Sequence, residues 1–439
     1  MKTKKAFTIL HPYAAGIDIA SKEHFVAVNP ELVEDPIRSF GAHTADLYAL
    51  SNWLKQCKVD TIAMEATGIY WVSLFLILEE AGFEVVLVNA RHVKNVHGKK
   101  TDVKDAEWIR QLHSCGLLSA SFQPDNFTRT LRSYVRHRKN LIEMAATHKN
   151  RMHKALELMN IKVQHVITDI TGKSGQDIIR GIIHGERNPE ELAKYCDGRI
   201  RKSKKADIIK SLLGVWKDEH IFELQQSFDL YNIYQEKILE CNKKIDILLN
   251  QKMEEDIKVK DDRNDVTEAT PNDPKNVLKN ILGVDITACY GLTEKNTIEI
   301  LSEIGFNVQK WPTEKHFTSW LNLAPNNKIT GGKIIKTRRE KKRNHAGQIF
   351  KMAANSIQRS DHWLAHFYRR IKVRSGAGKA NVATARKIAV IFYKMIKNKC
   401  EFNPVPNSEY IKKQNQQQLK RINKQAVRLG MILVPLPTT

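Results

Sequence analysis

The first 120 residues alternate short apolar runs with longer amphipathic ones. Residues 14–20 and 24–28 read as two strands, a third lies near Ile37, and the stripe from Leu47 to Leu54 reads as a helix. Thr61, Ile62, Ala63 and Met64 form a further strand ending at Glu65. Thr67 and Gly68 then open a helix through Trp71, Leu74, Leu76 and Leu78, and residues 85–88 make the last strand before more helix. Beyond Leu118 the period becomes helical and long. One helix is predicted over 128–161, with Leu131, Val135, Ile142, Ala145, Met152 and Leu156 as its seam. A second, from about 219 to 253, spaces Ile221, Leu224, Phe228, Tyr231, Ile238, Ile245 and Leu248 close to a coiled-coil repeat. Residues 171–205 give only helical fragments.

The pattern divides the chain into five parts: an α/β domain over 1–120, a helical coiled-coil arm over 121–253, an acidic linker over 254–275, a mainly α-helical domain over 276–402 and a tail over 403–439. Glu254 to Asp273 carries eight acids and three bases, which marks it as a tether. In the fourth part, apolar residues from Val277 to Leu282 and from Ile298 to Ile304 flank glycine-containing turns. Helices follow from Ala346, a turn at Gly376, and a helix from about Val382 to Lys397 on which Arg386 and Lys387 are expected to face nucleic acid. The order of elements in the first part is that of an RNase-H-like layer fold, although periodicity does not separate it from other α/β sheets.

Four carboxylates stand out against this framework. Asp18 sits within an apolar strand, where a charge needs compensation. Glu65 ends a strand, and Asp102 and Asp105 share a helical stripe with Ile109 and Leu112. Acids on core-facing positions call for a cation, and oxygen donors suit Mg²⁺ or Mn²⁺. The alternative is structural: Asp102 caps a helix, Asp105 pairs with Lys100 or Lys104, and Glu65 is a surface acid.

Charge narrows the partner. There are 71 Lys and Arg against 48 Asp and Glu, a net +23 suited to polyphosphates. Arg129, Arg132 and Arg136 lead a set of eight bases on the 128–161 helix, opposed by Glu143 alone up to Lys154. A sharper cluster follows Leu323-Ala324-Pro325. From Lys328 to His345, eight bases (Lys328, Lys333, Lys336, Arg338, Arg339, Lys341, Lys342 and Arg343) surround Thr330-Gly331-Gly332, with Glu340 the one acid. A hydroxyl beside two glycines and among cations suits attack on a phosphodiester; the same loop would also serve to grip a backbone. Neither it nor Ser375–Lys379 has P-loop spacing. Six scattered cysteines form no Cys-x-x-Cys pair, as expected of reduced thiols in a cytoplasmic protein, and no apolar run is long enough to span a membrane. The tail adds Lys412, Lys413, Lys420, Arg421, Lys424 and Arg428 as a basic arm.

In these residues the chain resembles the DEDD-type insertion-sequence transposases, the bridge-RNA-guided recombinases of the one-ten family. The matching segments are Gly16-Ile17-Asp18-Ile19-Ala20, Met64-Glu65-Ala66-Thr67-Gly68-Ile69-Tyr70, Val88-Asn89-Ala90, Lys100-Thr101-Asp102-Val103-Lys104-Asp105-Ala106, residues 300–305, Leu323-Ala324-Pro325 and residues 327–333. The resemblance covers nearly the whole chain. It implies a RuvC-like acidic tetrad of Asp18, Glu65, Asp102 and Asp105 holding Mg²⁺, and a nucleophilic serine directly before Gly-Gly-Lys. Here that position is Thr330.

Threonine keeps the hydroxyl but adds a β-methyl that stiffens χ1 and crowds in-line attack. Three readings follow, in this order: Thr330 is a slower nucleophile, a neighbour such as Ser319 replaces it, or strand cleavage is lost. The resemblance further implies a composite site shared between protomers and a dimer assembling to a tetramer on donor and target DNA. It also implies an element-encoded guide RNA that chooses both DNAs, and a prokaryotic cytoplasmic protein associated with the nucleoid. Two competing functions are a metal-dependent junction-type endonuclease that uses water alone and a catalytically decayed relative that only binds RNA or DNA.

Overall fold

The structure, a computed structural model, describes residues 8–66, 68–88, 102–261, 273–338 and 344–434. It divides into two compact units, Met1–Gln123 and Pro124–Thr439.

The first unit is built on a five-stranded sheet. β1 (Ala14–Ile19), β2 (Glu23–Ala27) and β3 (Ile37–Gly41) form an antiparallel meander, while β4 (Thr61–Glu65) and β5 (Glu84–Val88) run parallel to β1, in the order β3-β2-β1-β4-β5. Strand periodicity sorts the side chains. Ile17, Ile19, Ile62, Met64 and Leu87 turn to one face, where α1 (Thr44–Gln56) and α2 (Trp71–Glu80) close a core with Leu50, Leu54, Leu74 and Leu78. The next residues along each strand turn to the other face. There Ala63 and Val88 pack with Ile109 of α3 (Asp102–Ser114).

Gly16 is what lets α3 approach. A Cβ at Gly16 would lie 2.3 Å from the backbone N of Arg110 and 2.5 Å from the Ala106 carbonyl oxygen, so only glycine admits the helix this closely. The other end of α3 is pinned as well. The Ser114 carbonyl accepts from the backbone N–H groups of Leu10 and His11, and the His113 ring hydrogen-bonds Thr61 Oγ1 at 2.9 Å. Burial, with repulsion from His11 stacked 5.3 Å away and against the opposing pull of Asp60, holds His113 neutral with a pKa lowered to about 4.

The second unit opens with α4 (Asn126–Leu158), capped by Asp125, which accepts from the Thr128 backbone N–H. It lies antiparallel against α8 (Asp218–Asp261): Arg138 meets Asn242, and His148 stacks on Tyr234. The expected helices at 128–161 and 219–253 are therefore present. α8 also runs on through the acid-rich stretch taken for the start of the linker, because Glu, Asp and Lys in that run keep ordinary helix propensity.

At the far end of the pair, α5 (Lys173–Ile183), α6 (Pro189–Ala193) and α7 (Gly198–Leu212) close a core of their own around Met152, Leu156, Ile178, Ile182 and Phe228. At the near end, Leu131, Val135, Ile245 and Leu249 belong to one core with α9 (Pro274–Leu282), α10 (Glu294–Ile304), α11 (Glu314–Trp320), α12 (His345–Ser356), α13 (Trp363–Ser375) and α14 (Ala377–Asn398). The arm is thus rooted inside the domain that follows it. Phe317 at its centre stacks on Phe392 and Tyr393, and the Tyr393 hydroxyl donates to the Trp311 carbonyl at 2.6 Å. α15 (Asn407–Arg428) buries none of its residues.

All six cysteines are free thiols; Cys289 is so deeply buried that its pKa is pushed up to about 12. Among the described residues no helix is long and apolar enough to cross a membrane.

Candidate active site

Sheet register brings the first two acids into line. The last paired residues of β1 and β4 are Ile17 and Met64, so Asp18 and Glu65 are the next residues along two adjacent parallel strands. Both fall on the α3 face, because Ile17 and Met64 face the opposite core and Glu65 pairs with Val88, which packs under α3. Asp18 is half-buried, and Glu65, at 9 % exposure, is not the surface acid that its structural reading required.

The direction of α3 adds the other two. Its last turn lies beside the start of β1 and β4, through His113 and Ser114, and its middle crosses Gly16. Its first turn, which holds Asp102 and Asp105, therefore points toward the strand ends that carry Asp18 and Glu65. Asp105 is half-buried at the edge of the packed stripe, whose centre is Ala106, Ile109 and His113 and not Ile109 and Leu112 as the spacing predicted. The side chain of Asp102 lies outside the described residues, as do Thr67 and residues 89–101. Among the described residues no three His, Cys, Asp or Glu side chains converge closely enough to hold a metal ion.

The hydroxyl candidate sits in the second unit on a β-hairpin. β6 (Asn326–Thr330) and β7 (Lys333–Arg338) pair antiparallel, with Thr330 opposite Lys333 and a register irregularity at Lys328 and Ile329. Gly331 and Gly332, both at positive φ (56° and 75°), form the two-residue turn that closes it. Paired positive φ is the geometry a two-residue hairpin needs, so the glycines have a structural reason beyond close approach to a ligand. A Gly-Gly pair between β-branched residues is the signal that identifies this segment as a hairpin and not a loop.

Thr330, Gly331, Gly332 and Lys333 are all exposed, and a Cβ at either glycine would meet nothing within 4 Å. The hairpin's root is fixed. Asn344 donates through Nδ2 to the Trp320 carbonyl at 2.9 Å and accepts from the Gly347 N–H, while a Cβ at Gly347 would sit 2.2 Å from the Leu321 carbonyl oxygen. Ser319 is exposed on α11, eleven residues before Thr330 in sequence. The side chains of Lys328, Lys336 and Arg338, and the whole of Arg339, Lys341, Lys342 and Arg343, lie outside the described residues.

The basic helix proves to be engaged internally. Arg132 donates to the Ser302 and Glu303 carbonyl oxygens at 3.0 and 2.8 Å, closing the C-terminal end of α10, and Arg136 grips the Glu303 carboxylate with two bonds of 2.9 Å. Arg138 pairs with Glu299. Burial draws the Arg132 pKa down, with Glu303 opposing the shift, and the neighbouring Lys310 falls to about 8 for the same reason against the pull of Asp125. Arg132 and Arg136 thus hold the arm to α10, a role invisible in sequence because their acceptors are about 170 positions away.

Comparison with known families agrees with both halves of the chain. A transposase family model, DEDD_Tnp_IS110, matches residues 15–161, and a model for the transposase IS116/IS110/IS902 family matches residues 286–369. The chain belongs to the IS110-type transposases. Among curated proteins, none matches it.

Proposed function

We propose that this transposase excises and inserts its own mobile element through a composite site in which the carboxylate end of one protomer's first unit and the Thr330 hydroxyl of another protomer act on one DNA phosphate. The observation that carries this reading is the adjacency of Asp18 and Glu65 on parallel strands, with the first turn of α3 directed to the same end. The strand order β3-β2-β1-β4-β5 favours an RNase-H/RuvC-like sheet for that unit. Carboxylate oxygens are the donor set that Mg²⁺ or Mn²⁺ prefers, so Asp18, Glu65, Asp102 and Asp105 would hold the ion. When bound, it supplies positive charge against the phosphate and the leaving oxygen.

The protein's own contribution is positioning. Thr330 Oγ1, exposed at the end of β6, forms a bond to phosphorus as the bond from phosphorus to a deoxyribose oxygen breaks. The threonine loses its proton, the departing oxygen gains one, and the strand stays linked to the protein as a phosphothreonine ester. Lys333, opposite Thr330 in the hairpin, is in register to neutralise the charge that builds on the phosphate. The wider DNA contacts are assigned to Arg129, to the bases from Lys328 to Arg343, and to the exposed tail helix. A guide RNA selecting donor and target, and a dimer assembling to a tetramer, complete the reading, since these cations read phosphates and not bases.

The test is strand transfer on element-end DNA with its RNA, run on a denaturing gel. A protein–DNA adduct is expected with the native chain and with Thr330→Ser, but not with Thr330→Ala. Asp18→Asn is expected to reduce it by at least the roughly 10²–10³-fold that losing one preorganised electrostatic group costs. Thr330→Ala recombining as well as the native chain overturns the nucleophile. Cutting that depends on Asp18, leaves no adduct and ignores Thr330 identifies the water-only nuclease.

A further inference from the structure

Beside the segment that enters the hairpin, the second unit carries a trough of about 990 Å³ between α13 and α14. α13 lines it with Trp363 and Phe367, one helical turn apart, and α14 with Lys379, Arg386 and Lys387, interleaved with the apolar Val382, Ala383, Val390 and Ile391. No acidic side chain is among the described residues lining it. One rim is Leu323-Ala324-Pro325, which leads directly into β6 and Thr330.

Two further observations show that the cations and rings act together. The Lys387 ammonium lies 5.7 Å from the Trp363 ring centroid and 4.8 Å from that of Phe367, and Arg370 stands 5.6 Å from Phe367 on the same helix. A ligand that fits must be flat enough to lie against aromatic rings and anionic at one edge. An unpaired nucleotide meets both conditions.

We propose that this trough holds an unpaired DNA nucleotide flanking the scissile phosphate, with its base against Trp363 and Phe367 and its phosphate on Arg386 and Lys387. The proposal deepens the transposase reading and rests on it only for the choice of DNA. Holding one base out of the stack next to the hairpin would fix the strand that Thr330 attacks and favour sites where the helix is already opened.

The test is binding, so it stands apart from whether Thr330 cuts. The full chain is titrated with a short single-stranded oligodeoxynucleotide carrying 2-aminopurine, with the matching duplex, and with the same sequence as RNA. Trp363→Leu, Arg386→Gln and the space-filling Ala383→Phe are compared with the native chain. Each is expected to weaken single-stranded DNA binding about tenfold, as loss of one stacked base or its phosphate contact does, with duplex binding changed less than twofold. Thermal unfolding of each variant identifies any whose loss is only misfolding, and Ala383→Phe removes no existing contact. Equal loss on single-stranded and duplex DNA, or none, overturns the proposal. So does a loss confined to RNA, which would make this an RNA site. A change in sedimentation with DNA binding intact would make the trough a dock for a second copy, and likewise overturn it.

Discussion

The carboxylates and the hydroxyl are held in opposite ways. Asp18 and Glu65 stand on inner strands of a sheet covered on both faces, and their alignment follows from a register that cannot slip without exchanging core and surface for every residue of the strand. Thr330 stands at the end of a two-stranded ribbon, exposed, beside a turn of two glycines, with the ribbon's root locked by Asn344 and Gly347. The difference teaches where precision is built in advance. The acids are fixed by folding; the Thr330 hydroxyl is set on an exposed ribbon, where DNA would meet it on the proposed reading.

The largest structural effect is expected where α3 rests on the sheet. Gly16→Ala forces a Cβ against backbone atoms that have no rotamer to yield, at a cost of about 3 kcal/mol. Urea unfolding of the first unit should show it, and cleavage should fall although no acid has been altered. Unchanged stability would mean that α3 is not held by this contact.

A smaller effect is expected in the second unit. Arg132→Gln removes charge-assisted bonds to two carbonyl oxygens and should lower stability by about 2 kcal/mol. The salt dependence of DNA binding should stay as it is. A salt slope reduced by about one, with melting unchanged, would return Arg132 to the phosphate contacts that the sequence indicated.

The first unit should also lose stability in acid through His113. Its pKa is about 4 when folded and 6.5 when unfolded, so between these values the unfolded chain binds more protons and stability declines as pH falls. The contribution is fully present above 6.5 and gone below 4, and from pH 7 to pH 5 it amounts to about 2 kcal/mol. Urea midpoints at the two pH values measure it, and His113→Gln should remove that share of the difference. The smallest effect is expected in the hairpin: Gly331→Ala, at a φ of 56°, should cost about 1 kcal/mol locally and leave the global melting point almost unmoved. A large drop in melting would show that the hairpin is part of the core.

Much of the first unit was legible because its strands and helices are written as apolar runs of the right length, and the five strands and the helices between them lie where the pattern put them. The pairing of Asp18 with the Glu65 strand was not, since register is a property of two segments 47 positions apart. In the hairpin, basic residues masked the alternation around Gly331 and Gly332. At the arm's tip Asn188 caps a helix of five residues, too short for a period to emerge, and the helix after Asp197 is interrupted at Lys204, whose backbone is not helical. Arg132 and Arg136 read as phosphate contacts because a long basic helix offers no local acid to oppose them.

The central claim is that one phosphate is served by two halves contributed by different protomers. The most direct measurement mixes two singly inactive chains, Asp18→Asn and Thr330→Ala, on element-end DNA with its RNA and scores the covalent adduct. The account predicts no adduct from either alone and a substantial recovery in the mixture, carried by the Asp18→Asn chain whose Thr330 is intact. A mixture as inactive as its components would contradict it.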